Sequence, residues 1–219
     1  MTFPTTGTLD DFNRANTGPP PSSNWSTDVR GFGDQGMKVA SNVCVPNSGA
    51  SPASTWWNPG TFAAAQECLV KINALLTSGQ NAGLFARIVG PGGAGPDSYQ
   101  VDWLYSSGAT DTIAIQRMDN GVFTQLGASI SQDFSAGDSI GIECNGSTIA
   151  AYRKPSAGSW GSIGNRTDST YSAAGYIGMY FESAAGSFED FGGGAIVADP
   201  FPPVPGVVQQ QRRSPLILR

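Results

Sequence analysis

Histidine is missing altogether from these 219 residues. Its absence removes the commonest general base, the usual partner of serine and cysteine nucleophiles, and the imidazole ligands of zinc. The three cysteines, Cys44, Cys68 and Cys144, show no Cys-x-x-Cys spacing, so a thiolate zinc site is excluded too. An odd number cannot all pair within one chain, and each falls in a β-like run where a free thiol packs as a small hydrophobe. Glutamate is scarce: Glu67, Glu143, Glu182 and Glu189 are the whole set, and none has a second acid two residues on. A carboxylate pair for acid/base work would have to be assembled from different strands.

Charge is thin at 13% of residues, and no run approaches the 18 or so apolar residues of a membrane-spanning helix. Met1-Thr2-Phe3-Pro4 has neither a basic n-region nor an apolar h-region, so no secretory signal is expected. The net charge is -5, and it is uneven: the last sixteen residues hold Arg212, Arg213 and Arg219 and no acid. An acidic body lacks the clustered Lys and Arg that phosphate neutralisation needs, so no nucleic-acid partner and no membrane insertion are expected.

What the chain does have is glycine (29) and proline (15), placed as punctuation between short alternating runs. Ala82–Val89, Tyr99–Tyr105, Thr112–Met118, Ser139–Cys144 and Thr148–Arg153 read as strands, with Glu67–Leu75 a rougher one. In Ala82–Val89 the alternation sets Leu84, Ala86 and Ile88 on one face and Phe85, Arg87 and Val89 on the other. Arg87 and Arg117 are then expected to cover a sheet face with their stems. Asn120-Gly121 and Asn145-Gly146 are hairpin turns, since both accept positive φ. Lys38–Val45 reads as one strand, Pro46–Gly60 as a long loop, and Thr61–Gln66 as a weak helical run. Gly175–Phe181 and Gly186–Phe191 close the body. The echo of Asp10-Asp11-Phe12 in Glu189-Asp190-Phe191 predicts that the terminal strands lie side by side. The expectation is an all-β, two-sheet antiparallel jelly-roll sandwich over residues 1–198, with 199–219 an extended proline-rich tail.

Several stretches carry a family resemblance. They are Asp11-Phe12-Asn13-Arg14-Ala15-Asn16, Asn24-Trp25, Thr112–Gly121, Phe134–Ile140, Glu143–Ile149 and Gly175-Tyr176-Ile177-Gly178-Met179. Together they resemble the concanavalin A-like lectin/glucanase superfamily, and more narrowly the laminin G-like modules of phage and bacterial surface proteins. That fold hosts lectins, hydrolases and pure assembly domains, so the resemblance speaks to scaffold before chemistry. A glucanase of this kind would resemble a Glu-x-Asp-x-x-Glu strand, which this chain lacks. The resemblance also implies a structural calcium near the terminal strands, for which Asp10, Asp11 and Asp190 are the candidate ligands.

Glycan binding needs aromatic platforms with polar neighbours. Trp56, Trp57 and Trp160, all in apparent loops, are the candidates. In the tail, Pro202 and Pro203 enforce extension, and Arg212, Arg213, Leu216, Ile217 and Leu218 would form a hook on a neighbouring subunit. The resulting expectation is a non-enzymatic structural or adhesion protein of a phage-like virion, assembled in a host cytoplasm and sited on a particle surface. Its partners would be copies of itself and other virion or surface proteins. The alternative is a lectin-like module binding a cell-surface glycan, and a third class is a glycoside hydrolase or polysaccharide lyase.

Overall fold

A computed structural model describes residues 2–197 except 32, 48–51, 94 and 183. The boundary placed after residue 198 and every tail candidate, from Pro202 and Pro203 to Leu216, Ile217 and Leu218, lie outside those residues. The described chain is all β, without a helix, so the weak helical reading of Thr61–Gln66 does not hold; Phe62 instead bridges Gly175.

Two antiparallel sheets pack face to face. The first is built from β1 (Thr8–Asp10), β3 (Met37–Ala40), β4 (Val43–Pro46), β6 (Gln66–Ala74), β12 (Ser139–Asn145), β13 (Thr148–Lys154), β14 (Gly161–Thr167) and β16 (Ser187–Ala195). Its order is β14-β13-β12-β6-β16-β4-β3, with β1 also on β16. The second contains β2 (Trp25–Thr27), β5 (Ala53–Trp57), β7 (Asn81–Val89), β8 (Asp97–Leu104), β9 (Thr112–Asp119), β10 (Val122–Gln125), β11 (Ile130–Ser131) and β15 (Tyr176–Phe181). Its order is β10-β9-β8-β7-β15-β5-β2, with β11 on the free part of β9. Cys44, Cys68 and Cys144 are buried free thiols, and burial pushes all three up from the ordinary range.

The terminal strands do lie together: Thr8 pairs with Gly192 and Asp10 with Phe191. The echoed phenylalanines close on one indole, Phe12 at 5.9 Å and Phe191 at 4.7 Å from the Trp25 ring. Asp10 fixes that indole by accepting its Nε1–H at 2.8 Å.

Two strand readings are corrected. Lys38–Val45 is a hairpin, because Ser41 and Asn42 take φ of 53° and 63° and turn the chain between Ala40 and Val43. The run read as a loop holding Trp56 and Trp57 ends in β5, paired to β15 and β2. The strands β11 and β14 were also not foreseen.

The most consequential departure is at Arg87. Its φ of 52° makes a bulge in β7, and the register with β8 and β15 shifts there. Alternation is broken: Leu84 and Ala86 face the core, but Ile88 joins Phe85 on the outer face. Arg87 does not cover a sheet face; it is buried, 1% exposed. Its guanidinium donates to the carbonyls of Ala64, Tyr171 and Gly146 at 2.7–2.9 Å and lies over the Tyr99 ring. Its amide donates to Gln66 Oε1 at 2.8 Å, linking β7 to β6 of the other sheet.

Arg87→Ala removes a buried guanidinium and its hydrogen bonds to three part-buried carbonyls, so chemical denaturation should show a loss of about 1.5–3 kcal/mol. Arg87→Lys should recover only a fraction, because an ammonium cannot reproduce the planar fork. Wild-type stability in either variant would show that the three carbonyls find other donors at no cost.

Candidate functional site

A sandwich has two outer faces, and here one is closed by its own chain. Residues 3–6 run over the first sheet. Phe3 stacks on Tyr152 with ring centroids 4.0 Å apart and meets Trp160 edge-on at 4.9 Å. Gly141 makes the room: a Cβ there would sit 2.4 Å from the Phe3 ring. Next to it, Glu67 Oε1 accepts from the amides of Thr5 and Thr6 and from both hydroxyls, at 2.6–3.3 Å. Glu143 sits directly across from Glu67 in the β12–β6 register, and burial followed by the Glu67 charge raises its carboxyl above the ordinary value.

The second sheet carries a different outer face. Its inner residues, Tyr99, Val101 and Trp103 on β8 and Ile113 and Ile115 on β9, belong to the core. The alternate residues Gln100, Asp102 and Gln116 therefore point outward, and strand pairing sets Gln100 opposite Gln116. Between them and β15 lies a cavity of about 180 Å³ that includes Arg30, Asp102, Tyr180 and Glu182 in its lining. An apolar floor adjoins it, made of Val29, Phe85, Ile88 and Tyr180 with half-buried Trp56, Phe123 and Tyr176 packed against them. Ile88 is there only because of the Arg87 bulge.

The polar groups of the cavity are held tightly. Asp102 accepts both contacts of Asn81 Nδ2, at 3.0 and 2.8 Å, and the Tyr180 hydroxyl. Burial raises the Asp102 carboxyl above the usual carboxylate range despite those donors, and the nearby Glu182 charge adds to the rise. Burial also pushes the Tyr180 hydroxyl well up, with Asp102 adding to it. Arg30 grips Asp34 through Nε and Nη2 at 2.8 and 3.0 Å and reaches Glu182 through Nη1 at 2.7 Å. Ser54 Oγ donates to Asp34 at 2.6 Å. One group is left over. Gln100 is 3% exposed and donates its amide to Gln116 Oε1 at 2.6 Å, yet its own Oε1 is buried with no partner.

A larger hollow, about 500 Å³, lies under the β8–β9 loop beside Tyr105 and Asp133. Its buried carboxylate, Asp111, is already occupied by the Trp103 indole and the amides of Ser106 and Phe134. It offers a ligand less than the Gln100 cavity does.

The tryptophans named from sequence do not form one platform. Trp57 points inward and meets Trp25 edge-on at 5.3 Å. Trp56, its neighbour on β5, faces the opposite way and joins the floor of the cavity face. Trp160 lies over the other sheet against Phe3. Of the acids named for calcium, Asp190 stands at a positive-φ bulge of β16, and the other two already have partners within the protein. Asp10 accepts Arg14 at 2.5 and 2.9 Å, the Trp25 indole and the Phe12 amide, so a cation would have to expel an arginine. Asp11 is exposed and accepts the Asn13 amide. Among the described residues no group of three or more acids and cysteines converges as a metal site, and no helix is long and apolar enough to cross a membrane. Strand alternation puts Gln100 and Asp102 on one face of β8, but sequence reasoning did not bring them together with Arg30, Gln116, Tyr180 and Glu182. Glutamines at matching alternate positions of two adjacent strands were the available signal.

No protein-family model matches the chain, and no curated protein matches it. Solved structures do. A carbohydrate-binding module, CBM66 of Bacillus subtilis, aligns over 78% of this chain and 96% of its own, at 13% identity and a TM-score of 0.55. A β-1,3-1,4-glucanase (lichenase) from a mouse hindgut metagenome aligns over 86% and 98%, at 13% identity and 0.58. The CBM2 module of the evolved Dit protein of Lactobacillus casei BL23 phage J-1 aligns over 86% and 95%, at 12% identity and 0.54. At such identities the likeness concerns the fold, and the fold is the concanavalin A-like jelly-roll sandwich.

The Glu143 carboxyl yields a pH test. Its folded value lies above its unfolded one, so it takes up a proton on folding and stability falls as pH rises from about 4.5 through the raised value. Glu143→Gln should therefore melt higher than wild type at pH 7, and the two should converge near pH 3.5. A gap that stays constant with pH would mean that Glu143 is not strained by its neighbour.

Proposed function

We propose that the protein is a non-catalytic carbohydrate-binding module, with its site on the outer face of the second sheet. The observation that carries the reading is Gln100. A buried amide oxygen without a donor is costly, and a ligand hydroxyl reaching into the cavity would satisfy it. Half-buried Trp56, Phe123 and Tyr176 nearby supply the ring surfaces on which sugars stack. The two acids that line the cavity are both committed, Asp102 to Asn81 and Tyr180, and Glu182 to Arg30, which favours binding over acid/base work. The likeness to two carbohydrate-binding modules supports the same reading, while the likeness to a glucanase keeps hydrolysis as the outcome to test against.

The experiment is calorimetric titration with a panel of soluble oligosaccharides, paired with Trp fluorescence. At least one ligand should bind wild type, and Gln100→Ala should weaken it by about 1–3 kcal/mol while retaining the melting temperature. No binding by any glycan would sink the proposal, and release of reducing ends by wild type would replace it with hydrolysis.

The phage Dit module gives one observation in favour of a second reading, in which this binding module belongs to a virion. Assembly through the tail would then show as an oligomer in light scattering that falls to monomer when the chain is cut after Asp199. A monomer in both forms would remove self-assembly from that reading.

A further inference from the structure

The charges around the cavity narrow the ligand class, on the premise that this is the glycan site. Arg30 contributes a positive charge to the lining, but its guanidinium is already engaged by two carboxylates. Nε and Nη2 hold Asp34, and Nη1 holds Glu182. Asp34 is itself buried, and its second donor is Ser54. That leaves Asp102 and Glu182 lining the cavity against an arginine already neutralised, with no lysine or second arginine in the lining. The polar group without a partner, Gln100 Oε1, is an acceptor, so it calls for an O–H or N–H donor and repels another lone pair.

We infer that the cavity selects uncharged or amine-bearing glycans and rejects carboxylated or sulfated ones. The attraction is a donor to Gln100 Oε1. The rejection is like-charge contact with Asp102, where burial limits screening by salt, and with the more exposed Glu182 at the rim. Glu182 is the more accessible of the two acids, its side chain 42% exposed, so it meets an incoming glycan first.

The test uses the full chain and matched ligands of equal length: a neutral glucan oligomer, a de-acetylated chito-oligomer, an oligogalacturonate and a sulfated galactan oligomer. Neutral and amine-bearing ligands should bind more than about tenfold more tightly than the anionic pair. Glu182→Gln should narrow that ratio. A second variant, Asp34→Asn, frees part of Arg30 and should also move the ratio toward the anionic ligands. Equal or tighter binding of the uronate or the sulfate by wild type would overturn the selection while leaving a glycan site in place. A ratio unmoved in both variants would also overturn it, since the charges named here would not be its source. Failure of all four ligands together with a wider neutral panel would take down the glycan site itself.

Discussion

The bulge at Arg87 is the constraint on which the rest of the molecule depends. A strand in strict alternation would keep Leu84, Ala86 and Ile88 inward and lay Arg87 on the outside. One residue with φ of 52° exchanges the last two. The guanidinium turns in and ties three loops through their carbonyls, while Ile88 turns out and completes the apolar floor beside the cavity. A buried cation without a carboxylate is normally prohibitive. Here three carbonyl dipoles and the Tyr99 ring face supply the compensation.

Two further arrangements decide which surface is left for a ligand. At the terminal strands, Asp10 spends its carboxylate on Arg14, the Trp25 indole and the Phe12 amide, and the donors outweigh burial to hold it below the usual range. Over the first sheet, residues 3–6 place an aromatic ring and two threonines where a ligand would otherwise lie. Both regions are covered by the protein's own chain, although Arg14 Nε and Glu67 Oε2 are left there without a partner. On the outer face of the second sheet Gln100 Oε1 is left over as well, and it differs in lining an open cavity. The site is thus defined as much by what the chain has closed as by what it leaves open.

Much of the scaffold was legible because it is local. Asn120-Gly121 and Asn145-Gly146 announce their hairpins through positive φ, and the runs on β8, β9, β12 and β13 alternate cleanly. The Asp-Phe echo at the ends revealed a long-range pairing because both copies serve the same indole. Reading failed where conformation and propensity diverge. Ser41-Asn42 turns without a glycine, β5 follows a stretch of Pro and Ser and carries two adjacent tryptophans, and nothing in Phe85-Ala86-Arg87-Ile88 signals a left-handed arginine. The site was mostly illegible for a different reason. Its members come from β7, β8, β9, β10, β15 and the segments just after β2 and β15, and their convergence is a property of strand order. The tryptophans were candidates because their segments read as loops, but Trp56 and Trp57 belong to β5, and adjacency on a strand sends them to opposite faces.

The fold alone cannot choose between binding and cleavage, since binding modules and a glucanase share it at comparable likeness. The choice rests on the condition of the carboxylates. A hydrolytic pair needs one acid free to give its proton to the leaving oxygen and one free to attack or to activate water. Asp102 has its oxygens held by an amide and a phenol from within the protein, and Glu182 is drawn aside by Arg30, itself braced on Asp34 and Ser54. A raised carboxyl in a cleft is commonly the mark of a general acid. In Asp102 that rise comes from burial, while Asn81 and Tyr180 hold the carboxylate in place as donors, so the same shift marks a rigid wall of the pocket. Rigidity of that kind suits recognition, and under the proposed function Gln100 Oε1 would be a preformed acceptor for a ligand hydroxyl.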